Sequence, residues 1–190
     1  MKWKFWEPTY PTPRVRPSLP VPAPLPPIAP PTQDALDVTQ FALSANGLAF
    51  IQRNESLRLT AYMDSAGIPT IGYGSTVVDG VKVKMGDTIT PDRASAALNT
   101  DAKKFVLALR GLVNVPLTQN QVDSLVDFMY NVGSGAFQSS TLLKTIRSKA
   151  PVTADLFTRW NKVHDPKTQE LVVVPGLTAR REREFALYNS

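Results

Sequence analysis

Apolar residues recur at two different periods along this chain, and the change of period divides it. Leu48 and Ile51 share one face of a predicted helix that Ser44 caps and that runs to about Asn54. Glu55 falls at the C-terminal end of that helix. The period then drops to two. Leu59 to Tyr62 and Ile68 to Tyr73 read as short strands, joined by a turn through Asp64 and Gly67. Thr76 to Val83 carries a hairpin signal, because Asp79-Gly80 suits a type I′ turn between β-branched residues. Residues 56–85 are therefore predicted to form a small antiparallel sheet.

Beyond that point the helical period returns. Thr90-Pro91-Asp92 supplies a cap, a proline at the first helical position and an acid in the first turn. Leu98, Ala102, Phe105, Leu109 and Leu112 follow as one apolar stripe. Thr118 with Gln121 forms a capping box, and Leu117 with Val122 a hydrophobic staple. Val122, Leu125, Val126 and Met129 continue the stripe, and Gly133 and Gly135 are expected to end that helix. Further helices are predicted near 140–149, 153–162 and 178–188, with a turn and a short extended run from Asp165 to Val174. The fold class is α+β: a small antiparallel sheet lobe set between a first helix and a mainly helical lobe.

Composition separates the first 33 residues from the rest. They hold 11 of the 17 prolines. Proline lacks the N–H donor and fixes φ, so residues 1–33 are expected to be an extended, polyproline II-like arm, with a core-forming domain over 34–190. Four basic residues (Lys2, Lys4, Arg14, Arg16) against Glu7 give the arm +3 of the chain's net +5. The domain is thus near neutral. Trp3, Phe5 and Trp6 interleave with Lys2 and Lys4, a pattern that suits a membrane interface. Docking on a virion or host-envelope protein, or a plain solubilising tether, are the other readings of this segment. Nucleic acid is not expected as a partner, because the basic residues are scattered and no recognition motif is present.

There are no cysteines, which excludes a disulfide framework, a thiol nucleophile and a cysteine metal site. His164 is the only histidine, too few for a histidine metal site or a catalytic triad. No metal or cofactor is expected. Prolines interrupt every candidate for a signal-peptide apolar core, and no run approaches a membrane span. Delivery to any target outside the membrane is therefore expected to depend on a partner's pore or on a virus particle.

The candidate chemistry lies in the run from Asn54 to Ser75. Glu55 and Asp64 are separated by eight residues, and Asp64 and Thr70 by five. Two carboxyls and a hydroxyl are the groups that glycosidic hydrolysis needs: one acid protonates the leaving oxygen, and the second group directs water to the other face of the sugar. A free glutamate ionises well below neutrality, so an acid role for Glu55 requires partial burial.

This spacing, followed by Ile71-Gly72-Tyr73-Gly74, resembles the phage-type lysozymes, the endolysin family of glycoside hydrolases. Leu117 to Gln121, Tyr130 to Gly133 and Ser140 to Leu143 are similar to the family's middle. Pro175 to Leu177, with Arg180, Arg181 and Glu184, is similar to its C-terminal block. The resemblance spans about 35–190. It implies the lysozyme-like fold, a cleft between the lobes, and cleavage of the β-1,4 bond between N-acetylmuramic acid and N-acetylglucosamine in bacterial peptidoglycan.

In that frame Glu55 is the general acid, and Asp64 and Thr70 hold the attacking water. Thr76, Tyr130, Asn131 and Ser140 are implied to bind substrate, and Arg180 and Arg181 to support the acid's surroundings. The enzyme is expected to be a monomer that waits in the host bacterial cytoplasm for holin-type release at lysis. A virion-associated, wall-piercing lysozyme is the alternative, and a non-catalytic wall-binding or virion protein a further one. A lytic transglycosylase would need no water-directing Asp64 and Thr70. Two positions depart from the family pattern: Ser75 stands where many relatives carry histidine, and Asn54 where they often carry an aromatic.

Overall fold

A computed structural model describes residues 34–190 apart from 65, 166 and 167. The predicted arm over 1–33 lies outside the described residues. A short 3-10 helix, Val38–Gln40, opens the domain behind an Asp37/Gln40 capping box.

Helix α1 spans Ala45–Asn54, and the Ser44 hydroxyl accepts from Gly47 N–H at its start. It buries Phe50 and Ile51. Strands β1 (Arg58–Met63) and β2 (Pro69–Gly72) pair antiparallel, and β3 (Val77–Val78) and β4 (Val81–Lys82) form a separate tight hairpin. The predicted single sheet is thus two small two-stranded pieces, and an isolated bridge pairs Thr60 of β1 with Thr88, beyond β4. The Asp79-Gly80 turn has positive φ at both residues (52° and 79°), the signature of the predicted type I′ geometry.

Helix α2 (Pro91–Leu112) starts at Thr90 with Pro91 at its first position, and α3 (Gln119–Val132) starts with the Thr118/Gln121 capping box, both as the sequence predicts. Helix α4 (Ser134–Ser139) was not predicted. Gly133 does end α3, with φ of 89°, but Gly135 sits inside the new helix, whose Phe137 is fully buried. Helices α5 (Thr141–Arg147) and α6 (Ala154–Thr158) follow, the latter shorter than expected. Strands β5 (Lys162–His164) and β6 (Leu171–Val173) pair as a hairpin where a helix end and an extended run were predicted. Helix α7 begins earlier than expected, at Pro175, and runs to Tyr188.

The two lobes have separate cores. Ala61, Ile71, Val83, Ile89 and Ala94 fill the sheet lobe. A larger cluster built on Phe41, Ile51, Leu98, Leu109, Leu125, Phe128 and Phe157 fills the helical lobe. Helix α2 belongs to both: Ala94 enters the first cluster, and Leu98, Ala102, Val106 and Leu109 enter the second. Helix α1 precedes the sheet lobe in sequence but packs in the helical core, on α3. The acid at its end is thereby placed where the chain passes from one lobe to the other.

Candidate active site

Glu55 is the C-cap of α1, its N–H bonded to Ile51 O. Its side chain is 24% exposed, and Oε1 accepts from Arg180 Nη1 at 2.7 Å. Burial pushes the Glu55 carboxyl above its ordinary value, and the Arg180 pairing offsets only part of that rise. The site thus provides a half-buried carboxyl that tends to hold its proton.

Asp64 and Thr70 sit across the β1–β2 turn. Tyr62 pairs with Thr70, and Asp64 lies two residues past Tyr62. Side chains alternate along a strand, so Tyr62 and Thr70 share one face, with Asp64 in the turn just past β1, while Ala61 and Ile71 belong to the sheet core. Asp64 Oδ1 accepts from the backbone N–H of Ala66 at 2.9 Å and of Ile68 at 2.8 Å, which pins the carboxylate to its turn. Its Oδ2 has no partner among the described residues. Thr70 is 3% exposed and donates to Ile68 O at 3.0 Å, leaving its lone pairs for an incoming proton.

Tyr130 ties this face to the acid. Its hydroxyl donates to Tyr73 O at 3.0 Å, a direct bond from α3 to the chain just past β2. Burial, then the charges of Asp101 and Glu55, push its phenol well above the ordinary value, and Tyr62 acts in the same direction. Tyr62 on the sheet face and Glu55 on α1 therefore lie within electrostatic reach of one hydroxyl. Tyr130 is a strut between lobes and stays a neutral donor.

The other expected substrate residues differ in how free they are. Thr76 is exposed beside β3, with only its carbonyl engaged, by Val83 N–H. Asn131 is exposed, and its Oδ1 accepts from Arg181 Nη2 at 2.8 Å. Ser140 is buried: its hydroxyl caps α5 by accepting from Leu143 N–H and donates to Phe137 O. That geometry gives Ser140 a structural task at the α4–α5 corner.

Behind Glu55 lies a buried ionic cluster of which the sequence suggested only part. Arg180 meets Glu55, Asp127 and Glu184, and Arg181 meets Glu184 and lies 4.9 Å over the Phe128 ring. Burial alone would lower the Arg180 guanidinium, but the Asp127 and Glu55 carboxylates outweigh it and keep it charged. Burial raises Glu184 well above the usual carboxyl range, with Asp127 adding to the effect. Glu184 Oε2 is buried with no hydrogen-bond partner among the described residues, and a proton on that carboxyl removes the need for a donor there. Three carboxyls against two guanidiniums also leave one negative charge to be neutralised, the outcome expected in a low-dielectric interior. The arginines thus support the acid from behind. Asp127 was missed because nothing local marks it: it is one polar residue in a helix whose neighbours are buried on all sides.

The two departures have local explanations. Ser75 is buried and donates to Asp101 Oδ2 at 2.6 Å. Asn54 bridges two charged side chains, donating to Asp127 Oδ2 at 3.1 Å and accepting from Arg183 at 2.8 and 3.1 Å. No group of metal-ligating side chains is gathered among the described residues. One cavity of about 290 Å³, lined by Ile71, Val83, Ile89 and Arg93, lies in the sheet lobe with none of Glu55, Asp64 and Thr70 in its lining.

Known proteins resemble this chain in sequence and in fold. The phage lysozyme family model matches residues 52–184, a span that contains Glu55, Asp64, Thr70, Arg180 and Glu184. The endolysin of Salmonella phage P22 is 42% identical over 151 residues, covering 78% of this chain and 98% of that protein. The solved endolysin of Escherichia coli O157:H7 phage FAHEc1 superposes with a TM-score of 0.72 at 43% identity, over 78% of this chain and 94% of that one. The muramidase domain of SpmX from Asticaccaulis excentricus gives 0.72 at 31% identity, over 80% and 99%. The α+β architecture and these relatives together place the chain in the phage lysozyme family, the glycosidases that act on bacterial peptidoglycan.

Proposed function

We propose that this glycosidase cuts the β-1,4 bond between N-acetylmuramic acid and N-acetylglucosamine, with Glu55 as general acid and with Asp64 and Thr70 directing the water. The observation that carries the reading is the contrast between the two carboxyls. Glu55 is desolvated at a helix end and raised, while Asp64 is held in an open turn by two backbone N–H groups. Pairs of acids in unlike environments divide the acid and base roles between them.

Glu55 gives its proton to the glycosidic oxygen as the bond breaks. A water accepted by Asp64 Oδ2 and steadied by Thr70 Oγ1 attacks the anomeric carbon from the opposite face, and Asp64 takes up its proton. Arg180 keeps the Glu55 anion tolerable after transfer. Tyr130 and Thr76 border the sugar sites. Asn131 presents its amide at the helical edge, and Ser140 holds the corner behind it. The monomeric enzyme accumulates in the host cytoplasm and reaches the wall when a partner opens the membrane, with residues 1–33 as a docking segment for a virion or envelope component.

Clearing of purified peptidoglycan by wild type and Glu55→Gln, with mass analysis of the products, tests the reading. Wild type is expected to release hydrated, reducing-end fragments, and Glu55→Gln to be slower by roughly 100- to 10,000-fold. Anhydro-sugar products would reassign the chain as a lytic transglycosylase. Absence of clearing by folded wild type would leave wall binding as its activity.

A further inference from the structure

One buried carboxylate next to the acid has no task in the scheme above. Asp127, on α3, is wholly inaccessible to solvent. Three donors converge on it: Arg180 Nη2 on Oδ1 at 2.9 Å, Arg180 Nε on Oδ2 at 3.2 Å, and Asn54 Nδ2 on Oδ2 at 3.1 Å. The remaining corner of the same guanidinium, Nη1, meets Glu55. A guanidinium is a rigid planar fork, so fixing one edge fixes the direction of the other donors. Asp127 grips the Nε–Nη2 edge on both of its oxygens.

We propose that Asp127 is a positioning residue for the cleavage reaction. It holds the inner edge of Arg180 so that Nη1 is aimed at Glu55, and it takes up guanidinium charge that would otherwise act more strongly on Glu55. The groups facing this pair come from every element around it. Helix α1 supplies Asn54 and Glu55 itself, α3 supplies Asp127 and Tyr130, and α7 supplies Arg180, Arg181, Glu184 and, through Asn54, Arg183. Asp101 on α2 and Tyr62 on β1 reach the same region through Tyr130. Asp127 and Glu184 are the two inner carboxyls on Arg180, and Asp127 alone meets it on two oxygens. Without Asp127, more of the positive charge falls on Glu55. An adjacent positive charge favours the ionised carboxyl, and an ionised Glu55 has no proton to give.

The inference rests on Glu55 being the acid, which Glu55→Gln checks by itself: wild-type clearing by that variant removes the acid assignment before Asp127 is considered. The test of Asp127 is the pH profile of kcat and KM on soluble peptidoglycan fragments, for wild type, Asp127→Asn and Asp127→Ser. Each variant is assayed at a temperature where circular dichroism shows it folded. The alkaline limb is expected to move to lower pH by about one unit, so that rate above the limb falls about tenfold. On the acid side the rate recovers, and KM stays unchanged. A limb at the wild-type position in either folded variant would overturn the proposal, as would a loss of rate that is uniform in pH. Failure of both variants to fold at any temperature would make Asp127 a stability residue and overturn it equally.

Discussion

Gly47→Ala is the sharpest test of how the acid-bearing helix is seated. In an exposed helix this substitution stabilises by up to about 1 kcal/mol, because glycine loses more backbone freedom on folding. At Gly47 the sign should reverse. A Cβ placed there would stand 2.4 Å from both Cγ and Oδ1 of Asp123 and 2.7 Å from Leu43 Cδ1. Asp123 cannot simply swing away. It accepts from Ser44 N–H at 3.0 Å, from the Ser44 hydroxyl at 2.5 Å and from Gln119 Nε2 at 2.9 Å. Hydrogen bonds to a charged acceptor contribute about 1.5–3 kcal/mol each, so losing two of them outweighs the propensity gain by roughly 2–5 kcal/mol. For a domain of this size that lowers Tm by roughly 5–15 °C. Gly111 provides the control. It lies in α2 with nothing within 4 Å of a built Cβ, so Gly111→Ala should raise Tm by about 1–4 °C. Thermal unfolding of the two variants beside wild type decides the matter. A Gly47→Ala protein that melts at or above the wild-type temperature would refute the close approach of α1 to Asp123.

Two further outcomes follow from buried polar contacts. Ser75→Ala leaves Asp101 without its 2.6 Å donor and should destabilise by about 1–3 kcal/mol, read as a lower urea midpoint at unchanged m-value. Glu184 has a raised carboxyl in the folded chain, so between the unfolded value near ~4.3 and its folded value the native state holds the extra proton. Stability must therefore fall as pH rises through that window. Glu184→Gln, isosteric with the protonated acid, should flatten the fall in urea midpoints between mildly acid and neutral pH, and the slope that remains belongs to Glu55 and Asp123.

Local signals in the sequence found the elements that local chemistry builds. Ser44, Thr90 and the Thr118/Gln121 box cap their helices as predicted, and Asp79-Gly80 makes its turn, because each needs only neighbours within three or four residues. Errors occurred where tertiary packing overrides such signals. Gly133 and Gly135 read as terminators, yet burial of Phe137 carries a short helix through the second glycine. At the start of α7, Val174 gives no side-chain cap, and only Pro175 marks the true first position. For the site, the resemblance proposes Glu55, Asp64 and Thr70 by their spacing. It did not locate Asp127, whose partner Arg180 lies 53 residues away. No periodicity distinguishes a polar side chain that meets a distant arginine from one that meets water.

The contact between Glu55 and Arg180 joins residues 125 positions apart. This has a consequence for the order in which the protein comes into being. The sheet lobe draws its core from residues 61 to 94, so it can close as soon as that stretch has left the ribosome. The helical lobe cannot. Its first helix is made early, but α7, which completes the packing on α3 and brings Arg180 and Glu184, is translated after every other described element. Until then Glu55 hangs from an unfinished core as a solvated carboxyl, without the burial that raises it. A chain whose translation stops short of α7 would thus retain Glu55, Asp64 and Thr70 and still lack the arginine that Glu55 meets, so the proposed acid is assembled only once α7 has been made.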